Sequence, residues 1–237
     1  MIRKEKKVRR FILSLGGSLI VPNGGIDIKF LTAFENYIRN KVAQGCHFFI
    51  VTGGGATARH YIEAASAVSS KRITEDDMDW LGVHSSRLNG HLIRTIFRDI
   101  AYDHLIKHYD MIDKKVENVP VVIGVGWRPG WSTDYDAVLL AQDYNIDTVI
   151  NLTSIKMVYD KDPGVHKDAK PVENISWKKM IDIVGKEWQP GLNAPFDPIA
   201  AQLAKKIRLR VVVCDGKNLK NLDNIIENKN FIGTTIQ

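Results

Sequence analysis

Five short runs of this chain are almost continuous in Val, Ile, Leu and Phe, and each precedes or follows a stretch with helical periodicity. The runs are residues 10–15, 48–52, 121–125, 148–152 and 210–214. A strand with one face in water alternates apolar and polar residues, so unbroken apolar runs mark strands covered on both faces. The amphipathic stretches lie at about residues 28–44, 57–67, 79–108, 134–144 and 198–207. Such alternation builds an α/β fold, a three-layer sandwich with a central, mostly parallel sheet. Ligands of these sheets sit beyond the carboxyl ends of the strands. The residues that follow each run are therefore the place to look for chemistry.

Three of those segments are rich in glycine. Gly16-Gly17-Ser18 follows the first run, Gly53-Gly54-Gly55 follows the second, and Gly124-Val-Gly126-Trp-Arg-Pro-Gly-Trp-Ser-Thr-Asp134 follows the third. Glycine lets a backbone approach a ligand closely, and a turn feeding a helix N-terminus presents free N–H groups and partial positive charge. Arg59, one turn into its helix, adds a bidentate donor for phosphate oxygens. A single cluster of this kind is more simply a tight strand-to-helix turn; three in register point to phosphate binding. No Lys-Ser/Thr pair follows the glycines and no GxGxxG occurs, which sets aside the P-loop and the dinucleotide fingerprint. No HRD or DFG set of the protein kinases is present.

Polar residues at the same edge have structural readings beside functional ones. Ser132, Thr133 and Asp134 open a helix, with Asp or Thr expected as its N-cap. Asp197 before Pro198 reads as an N-cap followed by an N1 proline. The segment VYDKDPG, residues 158–164, reads as a turn built on Asp-Pro. His84 and His91 are expected as surface or core residues, not ligands, and no metal-ligating cluster is expected.

The chain has 237 residues, of which 44% are hydrophobic, enough to close one core. Cys46 and Cys214 lie far apart with no CxxC, which implies neither a disulfide framework nor a zinc site and suits a reducing, cytoplasmic setting. No apolar run approaches the ~20 residues that cross a bilayer, so no membrane partner is expected. The net charge is +6, and six Lys and Arg against one Glu crowd the first ten residues. No aromatic residues interleave with those charges, so residues 1–9 read as a solvated segment and not as a nucleic-acid arm.

At this point the residues resemble a known family. LGGSLIVP, VTGGGATARHYIEAA and DWLGVHSSRLNGHLI are similar to segments of the amino acid kinase superfamily, and within it to the archaeal-type uridylate (UMP) kinases. WRPGWSTDYDAVLLA resembles that family's Pro-Gly-x-Ser/Thr-Thr-Asp segment, and INLTSIKMVYDKDP its adenine-side segment. FDPIAAQLA and IGTTIQ match as well, in the family's order from about residue 10 to the end. The resemblance implies the amino acid kinase (carbamate kinase-like) fold over residues 10–237, with an acceptor lobe at about 10–145 and an ATP lobe at 146–237. It implies transfer of the ATP γ-phosphoryl group to UMP, with Mg²⁺, in a cytoplasmic homohexamer of pyrimidine nucleotide biosynthesis.

Carried onto this chain, the resemblance gives UMP to Gly54, Asp79, Trp127, Arg128, Pro129, Gly130, Trp131, Ser132 and Thr133. Asp79 would accept from ribose hydroxyls. ATP falls to Gly17, Ser18, Gly55, Arg59, Thr153, Ser154, Tyr159 and Asp162. Asp134, Asp197 and Arg59 take the catalytic roles. The chain departs from the pattern where relatives often carry lysine: Ser14, Ala56 and Gln202 stand there instead. Lys156-Met157 replaces the usual Asp-Gly, and Trp127 replaces a Thr. Other readings are a kinase of the same fold acting on isopentenyl phosphate, carbamate or an amino acid, or a nucleotide- or oxyanion-binding member with weakened catalysis. Isopentenyl phosphate kinases usually place a His where this chain has Arg59.

Overall fold

All five apolar runs become strands of one sheet in the computed structural model, which describes residues 8–23, 25–69, 72–189 and 194–237. Residues 1–7, most of the basic segment, lie outside the described residues. In chain order the elements are β1 (Arg9–Leu15), α1 (Gly17–Ile20), α2 (Ile28–Ala43), β2 (Cys46–Thr52), α3 (Gly55–Val68), α4 (Glu75–Ile96), β3 (Val121–Gly124), α5 (Thr133–Asp143), β4 (Thr148–Thr153), β5 (Val158–Tyr159), β6 (Pro171–Val172), β7 (Asn174–Ile175), α6 (Trp177–Val184), α7 (Pro198–Lys206), β8 (Arg210–Asp215), α8 (Leu219–Ile226) and β9 (Thr234–Ile236).

The sheet order is β3-β2-β1-β4-β8-β9-β7, and β5 and β6 form a separate hairpin. β1 pairs in parallel with β2, Leu13 opposite Ile50, and with β4, Leu13 opposite Ile150. β9 runs antiparallel to β8. The unbroken apolar runs follow from the two covered faces. Ile12 packs in a core shared with α5, α6 and α7, while its neighbour Leu13 packs in the opposite core with α2, α4 and α8. Each such side chain, fully buried, contributes roughly 1.5–3 kcal/mol, so both faces of the sheet carry the fold. Successive strands β1, β2 and β3 step one way from β1, while β4 and β8 step the other. This puts the topological switch point between β1 and β4, where such sheets bind ligands.

Three sequence expectations change. The helix expected over residues 79–108 starts earlier and stops sooner. Thr74 and Asp77 form a reciprocal capping box that opens α4 at Glu75. The helix ends at Ile96, because the following residues run beside β3 instead, with Ala101 bridged to Val121 and Ile106 to Gly124. The N-cap of α5 is Ser132, not Thr133 or Asp134: the Ser132 hydroxyl accepts from the Asp134 N–H at 3.1 Å. The elements α6, α8, β7, β9 and the β5–β6 hairpin had no counterpart in the reading of apolar runs. They are short, and α6 and α8 span only eight residues each. As expected, Asp197 caps α7 ahead of Pro198. His84 and His91 are exposed, and both cysteines are buried and free. No helix among the described residues is long and apolar enough to cross a membrane.

Candidate active site

The first two glycine turns meet at the switch point. The Gly16 N–H donates to Leu152 O at 2.9 Å and the Gly53 N–H to Leu15 O at 3.0 Å, which ties both turns to strand ends. A Cβ on Gly17 would lie 2.0 Å from the Gly55 nitrogen, and one on Gly55, which adopts φ +65°, 2.3 Å from Gly17 O. The turns therefore pack backbone against backbone, and no other residue fits either place. A polar stripe on α4 holds them. Asn89 Nδ2 donates to Gly53 O at 2.7 Å and to Gly54 O at 3.1 Å. Ser86 Oγ donates to Thr52 O at 2.7 Å and accepts from the Gly126 N–H at 2.8 Å. These buried groups are satisfied by the ends of β2 and β3, so the stripe fixes where the glycine turns sit.

Beside the turns lies a cavity of about 470 Å³. Gly54, Gly55 and Arg59 line it from α3, Asp79 from α4, and Arg128, Trp131, Ser132 and Thr133 from the third glycine-rich segment. Six of the nine residues expected at UMP are thus gathered, and Gly55 and Arg59, expected at ATP, join them. The other three do not line the cavity. Trp127 turns to Tyr109, ring centres 5.9 Å apart, and its carbonyl accepts from Arg87 Nη2 at 2.7 Å. Pro129 is half-buried, and Gly130 is exposed with its N–H donating to Asp79 Oδ2 at 2.8 Å. The Arg128 guanidinium lies against two indoles that themselves meet edge-on, 4.6 Å from the ring centre of Trp127 and 4.9 Å from that of Trp131. These cation–π contacts stiffen the rim. Arg59 Nη2 reaches Asn23 Oδ1 at 3.3 Å.

The N-terminus of α5 carries the acids. Ser14 Oγ donates to Asp134 Oδ1 at 2.9 Å. Burial, then the neighbouring Asp197 charge, push the Asp134 carboxyl up to about 7, against which the Ser14 bond pulls only weakly. Asp197 is buried; its Oδ1 accepts from the Ile199 and Ala200 N–H groups at 2.6 and 2.9 Å, and its Oδ2 from the Ser132 N–H at 2.7 Å. One carboxylate thus caps α7 and fixes the cap of α5. Burial also holds Asp136 well above the usual carboxylate range, although Trp131 Nε1 donates to it at 3.1 Å. Neither Asp134 nor Asp197 forms a salt bridge among the described residues.

A second cavity, of about 730 Å³, opens at the end of β4. Thr153, Ser154, Tyr159 and Asp162, all expected at ATP, line it together with Ile183 and Val184 of α6 and with Ala194 and Pro195. Asp162 shapes its turn, accepting from the Gly164 N–H at 2.7 Å. Gly17 and Ser18 line neither cavity; Gly17 is taken up by its contact with Gly55. Of the positions where lysines were missing, Ser14 bonds Asp134, Ala56 is fully buried, and Gln202 Nε2 donates to Lys186 O at 3.0 Å. Sequence reasoning missed Met78, Ser86, Asp136 and Trp188 in the first cavity. Ser86 and Asn89 had a legible signal, two polar residues on the inner face of an amphipathic helix. Trp188 had none, since it lies in an irregular segment. Among the described residues no group of three or more His, Cys, Asp or Glu side chains could hold a metal ion.

The first cavity stands on Gly54 and Gly55 at the start of α3 and reaches the start of α5, and the second opens at the end of β4; two cavities of this size at one sheet edge suit a pair of phosphate-bearing ligands. Comparisons with known proteins bear on the family and the fold. The pattern of the amino acid kinase family matches residues 9–215. The uridylate kinase of Pyrococcus abyssi (strain GE5 / Orsay) is 30% identical over 229 residues, covering 96% of this chain and 99% of the relative. The uridylate kinase of Methanosarcina mazei is 33% identical over 216 residues, covering 91% and 90%. Among solved structures, the uridylate kinase of Archaeoglobus fulgidus superposes with a TM-score of 0.80 at 28% identity, covering 97% of this chain and all (100%) of that one. The aspartate kinase of Synechocystis, at 16% identity, shares the fold with a TM-score of 0.72 over 96% of this chain and 39% of its own.

Proposed function

The chain belongs to the amino acid kinase family, and on that premise we propose that it transfers the γ-phosphoryl group of ATP to UMP, giving UDP, by direct in-line displacement. The single observation that carries this reading is the pair of cavities at the carboxyl ends of the strands, the first floored by Gly54 and Gly55 and the second at the end of β4, the strand to which the Gly16 turn is bonded. UMP takes the first, with Asp79 accepting from its ribose hydroxyls and Arg59, Arg128 and the amides at the start of α3 facing its phosphate. ATP takes the second, its base beside Tyr159 and Asp162 and its phosphates running toward Gly55. The acceptor lobe is then about residues 10–145 and the ATP lobe 146–237.

Phosphoryl transfer needs little covalent help; it needs alignment and stabilisation of charge on the moving oxygens. Asp134 and Asp197 supply the alignment by organising the donors at the start of α5, since Asp197 fixes the Ser132 N–H. Among the described residues no carboxylate cage stands ready for a metal, so a Mg²⁺ would come with the ATP phosphates and would supply positive charge there. We place the reaction in the cytoplasm, in pyrimidine nucleotide supply, and in a homo-oligomer, a hexamer by family resemblance.

One observation favours a second reading, a nucleotide-binding member with weak turnover: among the described residues Asp134 has a serine partner and no salt bridge. A coupled ADP-release assay with Mg²⁺ and each of UMP, CMP and AMP separates the two. UMP-dependent release is expected, with Asp79→Asn raising the KM for UMP and Arg59→Ala lowering kcat. Tight UMP binding with no UMP-dependent ADP release would sink the kinase reading.

A further inference from the structure

One side chain of the first cavity comes from the ATP side of the chain. Trp188 lies on the segment after α6, yet its indole lines the cavity otherwise built from α3, α4 and the third glycine-rich segment. Its Nε1–H donates to Asp79 Oδ2 at 3.2 Å, the oxygen that also accepts the Gly130 N–H at 2.8 Å. Asp79 is thereby held from two elements besides its own helix, and its orientation depends on Trp188. The segment is anchored at both ends in the other half. Before Trp188, Ile183 and Val184 line the second cavity; after it, Ala194 and Pro195 line the same cavity. Gln202 of α7 donates to Lys186 O at 3.0 Å, two residues from the indole, and Asp197 ties the far end to Ser132 in the first cavity. Residues 183–184 and 194–195 thus line the second cavity, and Trp188, four residues after Val184, lines the first.

We propose that Trp188 is a positioning residue of the acceptor cavity, which sets the Asp79 carboxylate and couples acceptor binding to occupancy of the second cavity. The inference rests on the assignment of UMP and ATP to the two cavities. A ligand in the second cavity holds residues 183–184, and with Lys186 O bonded by Gln202 this presents the Trp188 indole, four residues on, to Asp79 in its bonded position. The acceptor then meets a carboxylate already oriented, and by linkage each ligand tightens the other by the same factor.

The test uses the full chain and its Trp188→Phe and Trp188→Leu variants. Calorimetry measures UMP binding with and without a non-hydrolysable ATP analogue. Wild type is expected to bind UMP several-fold more tightly with the analogue present. Trp188→Leu should weaken UMP binding about ten-fold and erase that enhancement, while analogue binding to the UMP-free protein stays within about two-fold of wild type. Trp188→Phe keeps the ring and loses the N–H, so it should fall between. A merely structural role would lower the affinity for both ligands and the thermal midpoint together, and that result overturns the proposal. So does unchanged UMP affinity and enhancement in both variants. Wild type that fails to bind UMP at all removes the underlying assignment, and this inference with it.

Discussion

Replacing Asp134 with Asn removes a charge that the fold holds at a cost. The carboxyl is raised from 3.8 to about 7, first by burial and then by Asp197. Because the folded value lies above the unfolded one, the folded state binds the proton more tightly. The stability drawn from this group is full below about pH 4 and is lost as the pH climbs through 7. At 1.36 kcal/mol for each pH unit between the two values, the ionised group costs about 4 kcal/mol at pH 8. The Asn carbonyl can still accept from Ser14, so the variant keeps the hydrogen bond and drops the charge. Urea unfolding of the ligand-free protein from pH 4.5 to 8 measures this directly. Carboxylates lowered by their partners, such as Glu227 beside Lys41 and Arg9, titrate alike in both proteins and cancel in the difference. The variant should exceed wild type by only about 1 kcal/mol at pH 4.5 and by about 2–4 kcal/mol at pH 8. With a urea slope of about 3 kcal/mol per molar, the midpoint moves by about 1 M. The same variant should lose turnover, since an active site keeps strained groups for function. A difference that stays flat with pH, or a variant less stable at pH 8, would refute the reasoning.

Ser14→Lys places a cation on Asp134; the carboxyl should fall back toward its free value and kcat in the UMP assay should rise, about ten-fold at most. An unchanged or lower kcat in a folded variant counts against a charge deficit at this position. Gly17→Ala drives a methyl into the Gly55 backbone and should cost about 3 kcal/mol in denaturant unfolding, with unchanged stability refuting the interlock of the turns. Asp197→Ala loses the cap of α7 and leaves the Ser132 N–H without its partner; a loss of about 2–4 kcal/mol is expected by thermal and urea unfolding together.

The strands were legible because each is buried on both faces, and burial writes itself as unbroken Val and Ile. Helix α4 was half legible. Its apolar period continues past Ile96 because residues such as Ile100 and Leu105 still face the core, but Ile100 does so from a turn and Leu105 from a segment bridged to β3. Periodicity cannot tell those two ways of burying the same side chains apart. The glycine turns were found by composition, yet their mutual contact was not, since it joins Gly17 to Gly55 across two strands. Thr153, Ser154, Tyr159 and Asp162 were placed by resemblance and do share one cavity. Trp188 was invisible because its partner, Asp79, lies 109 residues away in sequence and no local pattern links them.

The segment that displaced the end of the expected helix has a further effect. By bonding along β3, residues 101–106 occupy the donors and acceptors of the sheet's first edge, with Tyr102 N–H on Val121 O and Ile106 N–H on Ile123 O, both at 2.8 Å. The opposite edge, β7, is only two residues long. Strand addition by another copy is thus closed off at one end of the sheet and has almost no template at the other. Edge-to-edge extension of this sheet is therefore not a route by which copies of this chain assemble.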